Sequence, residues 1–443
     1  MPMRPRLRQL FHDLLKPGLK ETGLHCSRLY RTRLSPAIDR IIYELDLRLK
    51  RGQRPPLVAD VRPLARQRGW NLTVHHPAVI QQREASRTIV EDLKDILLHG
   101  RRRVAGFDQT PVGGSRARAE MYFSHLYAVT RYPVHETFTC EIPGAMVLSP
   151  SGVVITPQFE MLAQSIFGRP ESLRPPIVKG VPAVSKSAPG RYVSLLHSMA
   201  KNYAHWFMDC LPRLSLLDYT DEELMVMVPC RPASYKIDSL KLLGIPERRI
   251  VSATQPEMVV EKLVLCHAAQ RSGVPHAAPF MDIRDRLVAA VAGSRPQRPP
   301  ERRVYISRAK SARKVVNEAE LLPVLRNFHF EVAVCEDLSL AQQIELFSDA
   351  RVVLGPHGAG IINQIFCQPG ATVIEIYNRR RWEHCTCRVA SLMNHRHWHI
   401  FGENRGGYWD TWVNPRKLEK VLEYALEDNL AVDRSMARYD SPY

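Results

Sequence analysis

The stretch RVVLGPHGAGIINQIF, residues 351–366, decides the fold. RVVLG reads as a buried strand, the glycines as a tight turn, and AGIINQIF as a helix that begins at Ala359. Gly355, Gly358 and Gly360 carry no Cβ, so backbone there can bend sharply and come close to a ligand. Amides at the start of the helix would point at whatever lies in the turn. An anion gains about 0.3–1 kcal/mol from such a helix terminus when exposed, and up to about 2 when partly buried. His357 adds a group that changes charge near neutrality. The spacing is G-x-x-G-x-G, neither the dinucleotide G-x-G-x-x-G nor the P-loop G-x-x-x-x-G-K, and no Lys-Ser/Thr follows to hold a magnesium nucleotide. A nucleoside triphosphatase is therefore not expected. Taken alone, the string reads equally well as a structural strand-to-helix turn.

Its neighbours extend the pattern on both sides. RVYISR (303–308), EVAVCE (331–336) and ATVIEIY (371–377) are apolar strands. NEAELLPVLRNF (317–328) and LAQQIELFSDA (340–350) are helices between them, the first with Asn317 as N-cap and Glu320 completing a capping box. Continuous apolar strands alternating with amphipathic helices predict a parallel sheet covered on both faces. NPRKLEKVLEYALE, from Asn414, closes the region with a helix that has proline at its first position. Upstream, AMVLSPSGVVITP (145–157) predicts a hairpin, while RYVSLL, ELMVMVP and KLVLCHA predict strands and SYKIDSLKLLGI and PFMDIRDRLVAAVAG helices. GSRPQRPPERR (293–303) cannot pack as an element and marks a hinge.

The expected organisation is thus α/β: a basic, poorly defined extension over 1–135, an α/β lobe over 136–293, a linker at 294–303, a second α/β lobe over 304–412, and a terminal helix and tail over 413–443. Ligands bind such sheets at the carboxyl ends of their strands, and between two lobes lies a cleft.

Composition narrows the function. The 443 residues are 45% hydrophobic and 24% charged, ordinary for a globular chain. No apolar run approaches a membrane span, the start shows no secretory pattern, and nine cysteines lack a disulfide spacing. An intracellular protein is expected. The net charge is +17, and residues 1–55 hold 13 Lys/Arg against 5 Asp/Glu. Such a balance points to nucleic acid, an anionic membrane surface or anionic small substrates. No zinc-finger spacing or aromatic ribonucleoprotein motif accompanies it, so the nucleic-acid reading has charge alone behind it. RPRLRQLFHDLLKPGLK (4–20) places Leu7, Leu10, Phe11, Leu14 and Leu15 at helical spacing among Arg and Lys, as in a helix lying on an anionic membrane, or one packed on a protein surface.

Candidate site residues follow from position. Arg308 ends a strand, where its planar fork could clamp a diphosphate, with Lys310 just after it. Glu375 lies inside an apolar strand and needs partners there, for which ribose hydroxyls or a backbone amide would serve. In NYAHWFMDCLPRL (202–214), residues 205, 209 and 213 share one stripe of a helix that Pro212 kinks. His205 and Asp209 can face a cleft together as base and orienting partner, in either assignment; Asp209 and Arg213 could instead form a salt bridge. EHCTCRVASLMNHRHWH (383–399) collects residues of zinc-ligand type, but Cys-x-Cys is not the usual pairing, so no metal is expected.

NYAHWFMDCLPRL, VYISR and VVLGPHGAGIINQIFCQPGATVIEIY, in this order and spacing, resemble the catalytic domain of glycosyltransferase family 61 over about residues 190–400. The resemblance implies a GT-B fold, an inverting and metal-independent mechanism, and a UDP-sugar donor with no other cofactor. It implies His205 and Asp209 as catalytic candidates. For the donor it implies Arg308, His357, Gly358 and Glu375, to which position adds Lys310, Gly355, Ala359 and Gly360. With no secretory pattern at its start, the chain is expected to be of the bacterial type that acts in the cytoplasm, at most peripheral to the membrane, on a capsular or cell-surface glycan or lipid-linked acceptor. A nucleotide-sugar epimerase of similar architecture and a basic non-catalytic scaffold are the alternatives.

Overall fold

The computed structural model describes residues 55–82, 87, 131–166, 187–271, 273–293, 298–378, 385–407 and 409–426. These all belong to one compact unit. The basic 4–20 segment and the 294–297 part of the expected linker lie outside the described residues.

Two sheets carry the fold. The first contains β1 (Leu57–Val58), β2 (Leu72–His76), β3 (Thr137–Pro143), β4 (Met146–Leu148), β5 (Val153–Ile155), β6 (Met161–Leu162), β7 (Ala188–Ser194), β8 (Leu224–Pro229), β9 (Ile250–Ala253) and β10 (Glu257–His267). Its order is β1-β6-β5-β4-β10-β7-β8-β9, with β3 pairing both β10 and β2. β10, β7, β8 and β9 run parallel, whereas β3 and β4 meet β10 antiparallel. The expected 145–157 hairpin is present as β4 and β5. The expected boundary at 135 does not hold, because β1 and β2 already pair into this sheet. The sequence hides them because they are short and only half buried.

The second sheet contains β11 (Arg302–Ile306), β12 (Glu331–Ala333), β13 (Ala350–Pro356), β14 (Thr372–Asn378), β15 (Arg396–Asn404) and β16 (Thr411–Trp412), in the order β12-β11-β13-β14-β15-β16. All neighbours are parallel except β15 and β16. Among the parallel strands this is the 2-1-3-4-5 order of a doubly wound sheet, whose direction of winding reverses between β11 and β13. Ligands bind at that reversal, off the carboxyl ends of the strands. Arg308 follows β11 and the glycine turn follows β13, so the topology brings both to this point.

Helices 318–327 and 415–426 cover one face of the second sheet around Tyr305, Leu321, Ile374 and Leu422. Residues 413–426 are therefore part of this layer rather than a tail. Asn317 is the N-cap residue as expected, but its side chain makes no cap bond to the helix backbone. Its amide donates to the Val413 carbonyl at 2.7 Å and its carbonyl accepts from the Val413 amide at 3.0 Å, which ties the terminal segment to the helix start.

On the other face, one continuous apolar core joins the two sheets. It runs from Val193, Trp206, Phe207 and Phe280 to Ile344, Ile362, Phe366 and Val389. The strand ends, where a ligand was expected, lie outside this core.

Candidate active site

The helix after the glycine turn, Ala359–Phe366, is of 3-10 type throughout, not the α-helix expected. The three glycines have different reasons to be there. Gly355 sits inside β13, where an added Cβ would stand 3.0 Å from Ile306 Cβ, and at Gly360 it would stand 3.2 Å from Ile306 Cγ2. Both permit close packing of the turn on β11. At Gly358 a Cβ would stand 2.0 Å from Arg308 Nη1, so the guanidinium occupies the space a side chain would need. Gly358 carries no side-chain cap for the helix that follows.

Arg308 is held in this position by its other nitrogens. Nε and Nη2 donate to the Ala312 carbonyl at 3.0 and 2.8 Å. Burial, together with the neighbouring charge of Arg313, lowers its pKa to about 10, so it still carries its proton at neutral pH. Two like charges are thus crowded at the winding reversal. Lys310, expected at the same place, lies exposed, with its ammonium 2.5 Å from Asp337 Oδ1.

His357 and Arg313 line a small surface recess with Pro356, Ile376, Asn378, Trp409 and Thr411. The His357 ring is fixed by Glu375, whose Oε1 lies 2.6 Å from Nδ1. Glu375 is fully buried and its remaining contacts are protein side chains: Tyr377 and Thr386 donate their hydroxyls to Oε2, and His397 Nε2 lies 3.1 Å from the same oxygen. Glu375 therefore meets the partners a buried carboxylate needs within the protein, and its place is behind His357. Burial works against its charge, yet His357 and His397 outweigh that and hold its carboxyl well below the usual range. Burial would also depress His397, but Cys387 and Glu375 beside it raise it to about 9.

The 203–216 element bears the other pair. It begins as a turn of α-helix (Tyr203–His205) capped by the Asn202 side chain, widens to a π-turn (Trp206–Cys210) and tightens to 3-10 (Leu211–Leu216). Pro212 stands at the start of the 3-10 turn instead of kinking an α-helix. Single π-turns of this kind occur often at functional sites. His205 Nδ1 and Asp209 Oδ2 are 2.7 Å apart, and Asp209 Oδ1 accepts from the Gly273 amide at 2.9 Å. Asp209 is buried, while the His205 side chain keeps 20% of its exposure. Arg213 Nη1 donates to the carbonyls of Ser194 and Leu196, which anchors the element to the end of β7.

His197 was not among the residues expected. Its ring stacks on His205 with centroids 5.9 Å apart, and its Nε2 lies 3.8 Å from Asp209 Oδ2. Burial pushes its pKa down to about 4, so the ring is neutral. Its place eight residues before His205 was a visible signal. Thr386 was also missed, whereas His397 belongs to the Cys/His-rich string, whose histidines were expected to line the nucleotide site or sit on a strand face, and it lies on β15. That string does not form one cluster: His397 meets Glu375, whereas His395 lies 3.2 Å from the Gln368 carbonyl. Among the described residues no three His, Cys, Asp or Glu side chains are grouped to hold a metal ion, and no helix is long and apolar enough to cross a membrane.

A cationic anion cradle at the switch point of a doubly wound sheet, packed against an element with a histidine–carboxylate pair, has the layout of an α/β group-transfer site. Residues 203–374, which hold both parts, match the family model Glycosyltransferase 61. The chain is similar to the EGF domain-specific O-linked N-acetylglucosamine transferase of Rattus norvegicus, 30% identical over 118 residues, 26% of this chain and 20% of that protein. The Drosophila melanogaster protein of the same name is 33% identical over 89 residues, 19% and 17% of the two chains. Protein O-linked-mannose beta-1,4-N-acetylglucosaminyltransferase 2 of Takifugu rubripes is 26% identical over 113 residues, 24% and 19%. The matched segments span about a fifth of these relatives' length. Residues 203–374 thus carry the sequence of a glycosyltransferase domain.

Proposed function

We propose that the protein is a glycosyltransferase that moves a sugar from a UDP-sugar to a hydroxyl of a cell-surface glycan precursor, with inversion and without a metal ion. The observation that carries this reading is the apposition of Arg308 on Gly358 at the winding reversal. A diphosphate there would meet one buried guanidinium, a second cation at Arg313 and the first amides of the 359–366 helix. Preorganised cations and dipoles of this kind stabilise a leaving diphosphate.

On the facing element His205 is the base. Asp209 is buried and holds the His205 ring by Nδ1, and in this reading the ring takes the acceptor proton at Nε2. Asp209 orients the ring and stabilises the imidazolium that forms. The names of the animal relatives make UDP-N-acetylglucosamine the first donor to try. The 4–20 segment, basic and amphipathic in sequence, would suit an acceptor at an anionic membrane.

Calorimetric titration with UDP, with and without EDTA, tests the reading. UDP binding in both conditions, lost in Arg308→Ala, supports it. A folded wild-type chain that ignores UDP and UDP-sugars, or binds only without EDTA, overturns it.

A further inference from the structure

The glycine-turn helix is gripped from the first-sheet side at two points. At its middle, the Tyr203 hydroxyl donates to Asn363 Oδ1 at 2.6 Å. Asn363 is fully buried and passes the bond on, donating to Gln343 Oε1 at 2.9 Å, and Gln343 Nε2 donates to the carbonyls of Cys335 and Leu338. At its end, Arg284 from the 277–292 helix donates to the carbonyls of Ile365, Phe366 and Cys367 at 2.9, 3.4 and 2.6 Å. These are carbonyls that a helix terminus leaves without partners of its own. Between the two points the Phe207 ring meets Phe366 edge-on at 5.6 Å. Tyr203 lies two residues before His205, and its ring packs on Phe207 at 4.7 Å.

One end of this arrangement is the element that bears the His205–Asp209 pair. The other is the helix whose first residues follow Gly358 and Arg308. We infer that Tyr203 and Arg284 are positioning residues that set the distance between the base and the donor cradle, so that the site is built before the donor arrives and no closure of one sheet on the other assembles it. A hydrogen bond to a fully buried amide suits this task, since breaking it leaves a polar atom unsatisfied and disfavours every other register. The catalytic meaning rests on the proposed donor and base; the clamp itself does not.

The test uses the full chain with Tyr203→Phe, which keeps the ring and removes one hydroxyl, and with Arg284→Gln and Arg284→Lys. Amide exchange of residues 359–366 should rise about tenfold in Tyr203→Phe and Arg284→Gln, with β11 and β13 unchanged, as expected for loss of one or two anchoring bonds. UDP affinity should stay within about twofold, while turnover of UDP-N-acetylglucosamine falls roughly tenfold or more at unchanged pH profile, since misplacement by about 1 Å costs up to about 10² in rate. Arg284→Lys should recover part of the loss. Unchanged exchange at 359–366 overturns the inference whether or not UDP binds. Equal losses of UDP affinity and turnover also overturn it, because they would mark a general loss of structure.

Discussion

Asp209 and His205 form one bonded unit: Oδ2 of the buried carboxylate lies 2.7 Å from Nδ1 of the partly exposed ring. The Gly273 amide occupies the other carboxylate oxygen. In the proposed reaction the two residues have different tasks. Asp209→Asn would turn an amide donor toward a nitrogen that itself must donate, and so favours the wrong tautomer. Turnover should fall about 10²–10⁴-fold in Asp209→Asn and in His205→Gln, with UDP affinity retained. Rates at saturating donor together with calorimetry check this.

The glycines of the turn should separate by experiment. Gly358→Ala displaces the Arg308 guanidinium, so UDP affinity should fall at least about tenfold with little change in melting temperature. Gly355→Ala and Gly360→Ala press on Ile306. They should act on stability, by about 1–3 kcal/mol for a crowded core position. Parallel denaturant melts and UDP titrations of the three variants decide it.

Stability should depend on pH through the buried Glu375 cluster. The His397 pKa is raised from 6.5 to about 9, so its contribution is full below pH 6.5 and is lost as pH rises through 9. Glu375 is lowered from 4.5, so its contribution is full above pH 4.5 and is lost only in strong acid. Melting temperature should fall by several degrees from about pH 6.5 towards pH 9 on account of His397, and fall below pH 6.5 on account of buried neutral histidines such as His197. In His397→Gln the fall above pH 6.5 should be smaller.

Glu375→Gln removes the charge from a buried ionic arrangement while keeping the side-chain volume. A loss of about 3–5 kcal/mol is expected. Restored partly by the double substitution Glu375→Gln with His397→Gln, the loss would be traced to the unpaired imidazolium. Thermal melts of the single and double variants measure it.

Much of the second sheet was legible because strands such as β11, β13 and β14 are continuous apolar runs separated by amphipathic helices. The first sheet was less so. Its two-residue strands β1 and β6 are too short to carry a period. The π and 3-10 geometry of 203–216 was also out of reach, since packing against the 359–366 helix and the end of β7 imposes it, not propensity. At the site, the residues near the turn were readable, but their tasks were not. Gly358 differs from Gly355 only through Arg308, fifty residues away. Glu375 looked like a ligand contact because its true partners, His357, Thr386 and His397, come from three separate elements.

The measurement that bears most directly on the central claim is a crystal structure of the protein with UDP. The account predicts the diphosphate seated between Arg308 and the glycine turn, with oxygens about 3 Å from Arg308 Nη1 and from the first amides after Gly358. UDP ordered elsewhere on the chain, with Arg308 still lying on an unfilled Gly358 turn, would contradict it.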